Sequence, residues 1–270
     1  MADLPDVHIT TDDIADLDVD ALIVPVFRGG IEGPGADVAL RALGLDDVPR
    51  DHGFRGKTGE VLHLAAPGQP WGRVTLVGLG RLDSLSDEML RRAAGSAVRS
   101  ILGTAHTAAT TLALVEGSAE AVRAVAEGAM LGAYRYDEVR TDPAPRTLTD
   151  VTVVVASSLA ERAAAAVGRA GIHARAQCLA RDVVTTPPDR LGPVEVAELA
   201  LERLPDSIEV EIWDEQRLAD EGCGGHLAVG RGSARPPRLV RLRYVPDDPV
   251  ATVALVGKGI TFDTGGISLK

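Results

Sequence analysis

The sequence predicts an α/β protein, and three observations carry that expectation. Short apolar runs alternate with stretches of helical periodicity, the pattern of strands joined by packed helices. Two of those runs, 21–27 (Ala-Leu-Ile-Val-Pro-Val-Phe) and 252–256 (Thr-Val-Ala-Leu-Val), read as buried strands, the second as a central parallel one. No internal repeat or low-complexity tract interrupts the alternation. With three Phe, two Trp and three Tyr in 270 residues, Val, Leu, Ile and Ala must fill the core.

Taken in order, the first strand falls at 21–27 despite Pro25, and strands follow at 60–66, 73–79 and 110–115. Helices fill 86–102 and 119–136. Ser84 and Ser118 lie near their starts as candidate N-caps, because a serine side chain accepts a hydrogen bond from an unpaired first-turn amide. Pro143 and Pro145 mark a loop at 141–147, before a strand at 151–156. A long helical pattern spans 159–184 and ends before Pro187-Pro188, since proline disfavours helix in the residue preceding it. A helix at 193–204 and strands at 208–213, 239–244 and 252–256 complete the chain. The expected division is an N-terminal α/β domain at 1–155, a connector helix at 156–189 and the opening part of a second α/β domain at 190–270. About 80 residues is small for such a domain.

The net charge of −11 argues against general binding to nucleic acid or an anionic membrane, both of which rely on basic patches. Cys178 and Cys223 are too few for a disulfide framework and read as reduced thiols. No run of about 20 apolar residues suggests a membrane span. The acidic start Met1-Ala2-Asp3-Leu4-Pro5-Asp6 lacks the basic and apolar regions of a signal peptide, so a cytoplasmic protein is expected.

Of the 28 Lys plus Arg, Lys57, Lys258 and Lys270 are the lysines. Two of the three follow the apolar run at 252–256, among Gly257, Gly259, Gly265 and Gly266, and Asp263 lies between them. In open α/β sheets the carboxyl edge of the strands is where ligands bind. Arginine stays protonated, whereas a lysine amine can be neutralised by burial or a nearby metal. Two readings stand: a plain glycine-rich loop with solvated lysines, or a metal or phosphate site. In the second, Lys258 ligates when deprotonated, Asp263 offers hard oxygen, and a cationic Lys270 stabilises a developing oxyanion.

The stretch Val256-Gly257-Lys258-Gly259-Ile260-Thr261-Phe262-Asp263-Thr264-Gly265-Gly266-Ile267-Ser268-Leu269-Lys270 resembles the signature of the leucyl (cytosol) aminopeptidases, the M17 metallopeptidases. Segments 180–189, 230–239 and 127–134 also resemble that family, which makes the likeness strong after Glu127 and weaker before it. The resemblance implies a macro-domain-like N-terminal α/β domain, a connector helix and the start of an α/β zinc-peptidase catalytic domain. It implies release of N-terminal leucine or other apolar residues from peptides, two divalent metal ions (Mn or Zn), and a homohexamer. Lys258 would be a ligand of one metal, Asp263 would bridge both, and Lys270 would polarise the scissile carbonyl. Thr185 departs from the family's usual Asn. The family's remaining metal carboxylates and its arginine-bearing motif are absent after Lys270, so an incomplete chain, inactive by itself, is expected. The alternative is a non-catalytic binding or regulatory protein that uses the macro-like domain.

Other motifs carry less. Arg55-Gly56-Lys57-Thr58 resembles the end of a phosphate loop, but Asp51 stands where the first glycine belongs and a strand follows. Residues 29–35 (Gly-Gly-Ile-Glu-Gly-Pro-Gly), between a strand and a helix, could cradle phosphate, but read first as a structural loop. The six histidines show no ligand spacing, Ser233 lacks the context of a hydrolase nucleophile, and acidic residues at 214–221 read as a solvated helix face.

Overall fold

The computed structural model describes residues 4–49 and 53–261, in two compact units, 1–180 and 181–270. Unit 1 contains strands β1 (Asp6–Thr10), β2 (Val19–Phe27), β3 (Ile31–Glu32), β4 (Val61–Ala65), β5 (Trp71–Gly80), β6 (Thr107–Thr110) and β7 (Asp150–Val154). Its helices are α1 (Ala36–Ala42), α2 (Asp87–Ile101), α3 (Ala119–Ala133) and all but the last five residues of α4 (Ala160–Thr185). The sheet order is β1-β7-β6-β2-β5-β4, with β3 paired to β2. All pairings are parallel except those of β4 and β3.

β2 lies between β5 and β6 and is buried on both faces. Leu22, Val24 and Val26 pack with Ala36, Ala39 and Leu40 of α1. Ala21, Ile23 and Phe27 pack on the side of α2 and α3. Each fully buried aliphatic side chain contributes about 1.5–3 kcal/mol, whereas a surface ion pair is worth about 0–1 kcal/mol. This strand therefore outweighs the exposed salt bridges. Pro25 is tolerated because the β6 ladder stops at Ile23 and the Pro25 carbonyl accepts from Gly33 N–H at 3.0 Å. The donor that proline lacks falls where β6 has already ended.

Helix α2 starts at Ser86, whose Oγ accepts from Met89 N (3.4 Å), and α3 at Ser118, whose Oγ accepts from Ala121 N (3.0 Å). Ser118 is the expected cap, but Ser84 is not. Ser84 ends a short 3-10 helix and donates to Asp83 at 3.0 Å. α2 and α3 approach backbone to backbone, because a Cβ on Gly132 would sit 2.6 Å from Gly95 Cα. At one end of this contact the buried Glu127 carboxylate accepts from Arg91 Nε (2.9 Å) and lies 3.1 Å from His173 Nδ1 of α4. Small residues seat α4: Ala163 and Ala166 enter the main core, and Ala170 and Ala174 pack with Ala126 and Met130 of α3.

The expected strand at 110–115 is displaced. The strand is Thr107–Thr110, and Leu112–Val115 is a 3-10 helix. Thr110 Oγ1 accepts from Leu112 N (3.2 Å) and turns the chain out of the sheet. β1 escaped the sequence analysis, since Val7 and Ile9 are its only large apolar residues, and β7 supplies its register.

Unit 2 contains α5 (Pro193–Arg203), β8 (Ile208–Trp213), α6 (Glu215–Asp220), α7 (Gly224–Gly230) and β9 (Leu239–Tyr244). β8 and β9 form an antiparallel pair. One face sets Glu209 opposite Arg243 and Glu211 opposite Arg241, and the other sets Ile208, Val210 and Ile212 opposite Tyr244, Leu242 and Val240. The expected strand at 252–256 is not formed. A strand exists through hydrogen bonds to neighbours, and among the described residues β8 and β9 pair only with each other. Val253, Leu255 and Val256 are 80%, 94% and 97% exposed.

Two glycine substitutions and one carboxylate substitution test this account of unit 1. Gly132→Ala forces α2 and α3 apart and should lower stability by about 1–3 kcal/mol. Gly168→Ala on α4, where a Cβ meets nothing within 4 Å, should raise it by about 0.5–1 kcal/mol. Urea midpoints read both glycine variants. Asp20 accepts from His106 N (2.6 Å) and Thr107 N (3.1 Å). Those amides, His106 first, hold its carboxyl below the ordinary value. Its stabilising effect is then full above about pH 4 and lost as pH falls through the depressed folded-state value. Asp20→Asn should flatten the acid limb of the stability–pH curve; an unchanged limb contradicts the assignment.

Candidate functional site

Lys258 lies in residues 251–261, which form neither helix nor strand, and its side chain is exposed. Gly257 and Gly259 beside it have no positive φ, and a Cβ on either would meet nothing within 4 Å. The backbone freedom expected of these two glycines is thus not used in this arrangement. Asp263, Gly265, Gly266 and Lys270 lie outside the described residues, so the sequence-predicted constellation is placed at Lys258 alone.

Among the described residues no three His, Cys, Asp or Glu side chains come together as a metal cage. One exposed amine does not fit a di-metal centre, which needs several carboxylates. No chemical step through a metal follows from the described geometry.

Two other segments singled out in the sequence do meet. Arg235, from 230–239, donates from Nη1 to Pro188 O (2.7 Å) and from Nη2 to Asp189 O (2.6 Å), both in 180–189. The planar guanidinium suits this paired recognition of successive carbonyls. Nearby, Gly192 N donates to Glu195 Oε2 (2.9 Å), and Arg235 Nη1 lies 3.7 Å from the same oxygen. Glu195 is held below the ordinary carboxylate value, first by its own backbone N–H, then by Arg235 and Gly192 N–H. Gly230 is needed because a Cβ there would lie 2.9 Å from Pro237 Cδ. Thr185, the departure from Asn, is the last residue of α4, and Thr186 Oγ1 donates to Asp182 O at 2.7 Å. The sequence marked both segments but not the role of Arg235, whose carbonyl partners are more than forty residues away.

The two phosphate-loop candidates have structural explanations. Arg55 N and Lys57 N donate to Glu60 Oε2 at 2.8 and 3.0 Å, so the anion in this turn is the chain's own carboxylate. The glycine stretch at 29–35 is occupied by the β2–β3 turn (Gly29, Gly30), by β3 and by the entry to α1, and Gly33 sits so close to Pro25 that a Cβ would lie 2.7 Å from its Cγ. No helix among the described residues is long and apolar enough to cross a membrane.

Residues 23–143 match the cytosol aminopeptidase family N-terminal domain, and residues 178–270 match its catalytic domain. A Micrococcus luteus protein described as a probable cytosol aminopeptidase is 43% identical, over 97% of this chain and 53% of its own length. One from Corynebacterium diphtheriae is 42% identical, over 94% and 51%. The chain thus spans about half the length of the curated relatives it matches. Among solved structures, a mutant of tomato leucine aminopeptidase superposes with a TM-score of 0.84 at 26% identity, over 98% of this chain and 56% of that one. The bottromycin maturation enzyme BotP in complex with Mn gives 0.66 at 35% identity, over 85% and 46%. Both domain matches, with relatives above 40% identity over nearly the whole chain, place this chain in the cytosol aminopeptidase family.

Proposed function

We propose that this chain is the amino-terminal part of a metal-dependent aminopeptidase that releases N-terminal leucine or other apolar residues from peptides. The observation that carries the reading is the catalytic-domain match over 178–270, a range that spans Lys258, Asp263 and Lys270. Lys258 is assigned as a ligand of one divalent ion and Asp263 as a ligand shared by two. Lys270 is assigned as the cation that faces the scissile carbonyl oxygen, where a fixed positive charge favours the transition state over the ground state. The remaining ligands are assigned to the part of the relatives' length that this chain does not span. The Mn named with BotP supports manganese, with zinc the other candidate. The family name supports a cytoplasmic site of action, and a homohexamer is proposed by family resemblance. Residues 1–155 are proposed as a macro-like domain, 156–189 as the connector and 190–270 as catalytic.

The test uses the chain extended to the length of its relatives, with leucine 4-nitroanilide as substrate and bound metal counted by mass spectrometry. Lys258→Ala should lose bound metal together with turnover. Lys270→Ala should keep its metal and lose about 100- to 1,000-fold in kcat, the usual cost of one oxyanion-stabilising group. The 270-residue chain alone should show no metal-dependent hydrolysis. Unchanged metal content in Lys258→Ala overturns the ligand assignment.

A further inference from the structure

β2 and β5 are parallel neighbours whose chains leave toward opposite faces of the sheet. After β2 the chain turns through β3 into α1 on one face, and after β5 it passes through the 3-10 helix Leu82–Ser84 into α2 on the other. In open α/β sheets such a divergence opens a crevice at the carboxyl ends of the strands, and ligands bind there. In unit 1 that crevice has a volume of about 600 Å³ and is lined by Arg28, Arg81, Leu82 and Asp83. Its size is that of a small-molecule site.

Register brings the two arginines together. Phe27 pairs with Gly80, and Arg28 N donates to Gly80 O at 2.7 Å, so Arg28 and Arg81 are the first residues beyond the paired strands. Arg81 is matched within the chain. Its Nε donates to Asp83 Oδ1 at 2.9 Å and its Nη2 to Oδ2, while Ser84 Oγ donates to Oδ1 at 3.0 Å. Arg81 first, then Ser84, hold that carboxyl down to about 2, so Asp83 is an anion at neutral pH. Arg28 is exposed, and among the described residues its guanidinium has no hydrogen bond or ion pair. Two guanidiniums against one carboxylate leave a single positive charge, beside a Leu82 that is 56% exposed.

Charge and free donors select the ligand. A phosphate cradle needs free backbone amides, but Gly30 N donates to Phe27 O (3.2 Å) and Gly33 N to Pro25 O (3.0 Å). A phosphate dianion would also meet the Asp83 carboxylate. A monocarboxylate balances the single charge and fits the planar fork of Arg28 through two parallel hydrogen bonds. We propose that this crevice binds a monocarboxylate bearing an apolar side chain, as a small molecule or as the carboxyl-terminal residue of a peptide. Arg28 holds the carboxylate and Leu82 contacts the side chain. The inference is independent of the proposed peptidase chemistry, since each of its residues lies in unit 1.

The probe is N-acetyl-leucine, which has no free amine for an aminopeptidase to act on. It is titrated into the 270-residue chain and followed by amide nitrogen–proton correlation spectra. Saturable shifts should appear at residues 28–30 and 80–84, with a Kd of about 1–10 mM for a ligand of this size. Arg28→Gln should weaken binding by about tenfold or more, the worth of a charge-assisted hydrogen bond. Leu82→Ser should erase the preference for N-acetyl-leucine over N-acetylglycine. Tighter binding of N-acetyl-Gly-Gly-Leu than of N-acetyl-leucine identifies a peptide terminus as the ligand, and equal binding identifies the small molecule. The proposal is overturned by any of four results: no saturable shift, unchanged binding to the Arg28→Gln chain, N-acetyl-leucinamide binding as tightly as the acid, or inorganic phosphate shifting the same residues at lower concentration.

Discussion

The two-sided burial of β2 is the constraint on which unit 1 depends. A strand with apolar side chains on both faces can exist only between two layers, which sets α1 on one side and α2 with α3 on the other. The parallel neighbours β5 and β6 then extend the sheet, and β7 and β1 continue it. Close packing follows from small residues. Gly95, Gly128 and Gly132 bring α2 and α3 to backbone contact, and an alanine stripe seats α4. Glu127 joins these helices through Arg91 and His173, so the one buried carboxylate in the α3 interface is paired. Leaving it unpaired would cost several kcal/mol.

The same physics gives unit 2 a different character. Its ordering comes from directional contacts more than from a core. Arg235 joins two distant turns through their carbonyls, and Glu195 closes the start of α5. These contacts shape the segment around 187–192, while the apolar run before Lys258 stays in solvent. A chemical group can be aimed only from a rigid support. The exposure of this run therefore bears directly on the proposed site: Lys258 has the identity its proposed role requires, without a support among the described residues.

Much of the fold was legible because periodicity and burial agreed. The strands at 208–213 and 239–244 and the long helix α4 have the bounds that their patterns suggest, to within a residue or two. Legibility failed where a neighbour decided the outcome. β1 has too few apolar residues to declare itself and takes its register from β7. Thr110 ends its strand with a side-chain hydrogen bond that an apolar count misses. The run at 252–256 has the composition of a central strand, but composition cannot supply the strands it would pair with. At the candidate site, the identities of Lys258, Asp263 and Lys270 were legible as a pattern. The contribution of Arg235 was not, because nothing local in the sequence links it to Pro188 and Asp189.

Unit 1 has a complete core, whereas the run that carries Lys258 in unit 2 is solvated. Amide hydrogen exchange on the 270-residue chain tests it most directly. The account predicts the slowest exchange in β2, β5 and α3, and exchange near the rate of an unstructured peptide across 251–261. Protection across 251–261 comparable to that of β2 would contradict it.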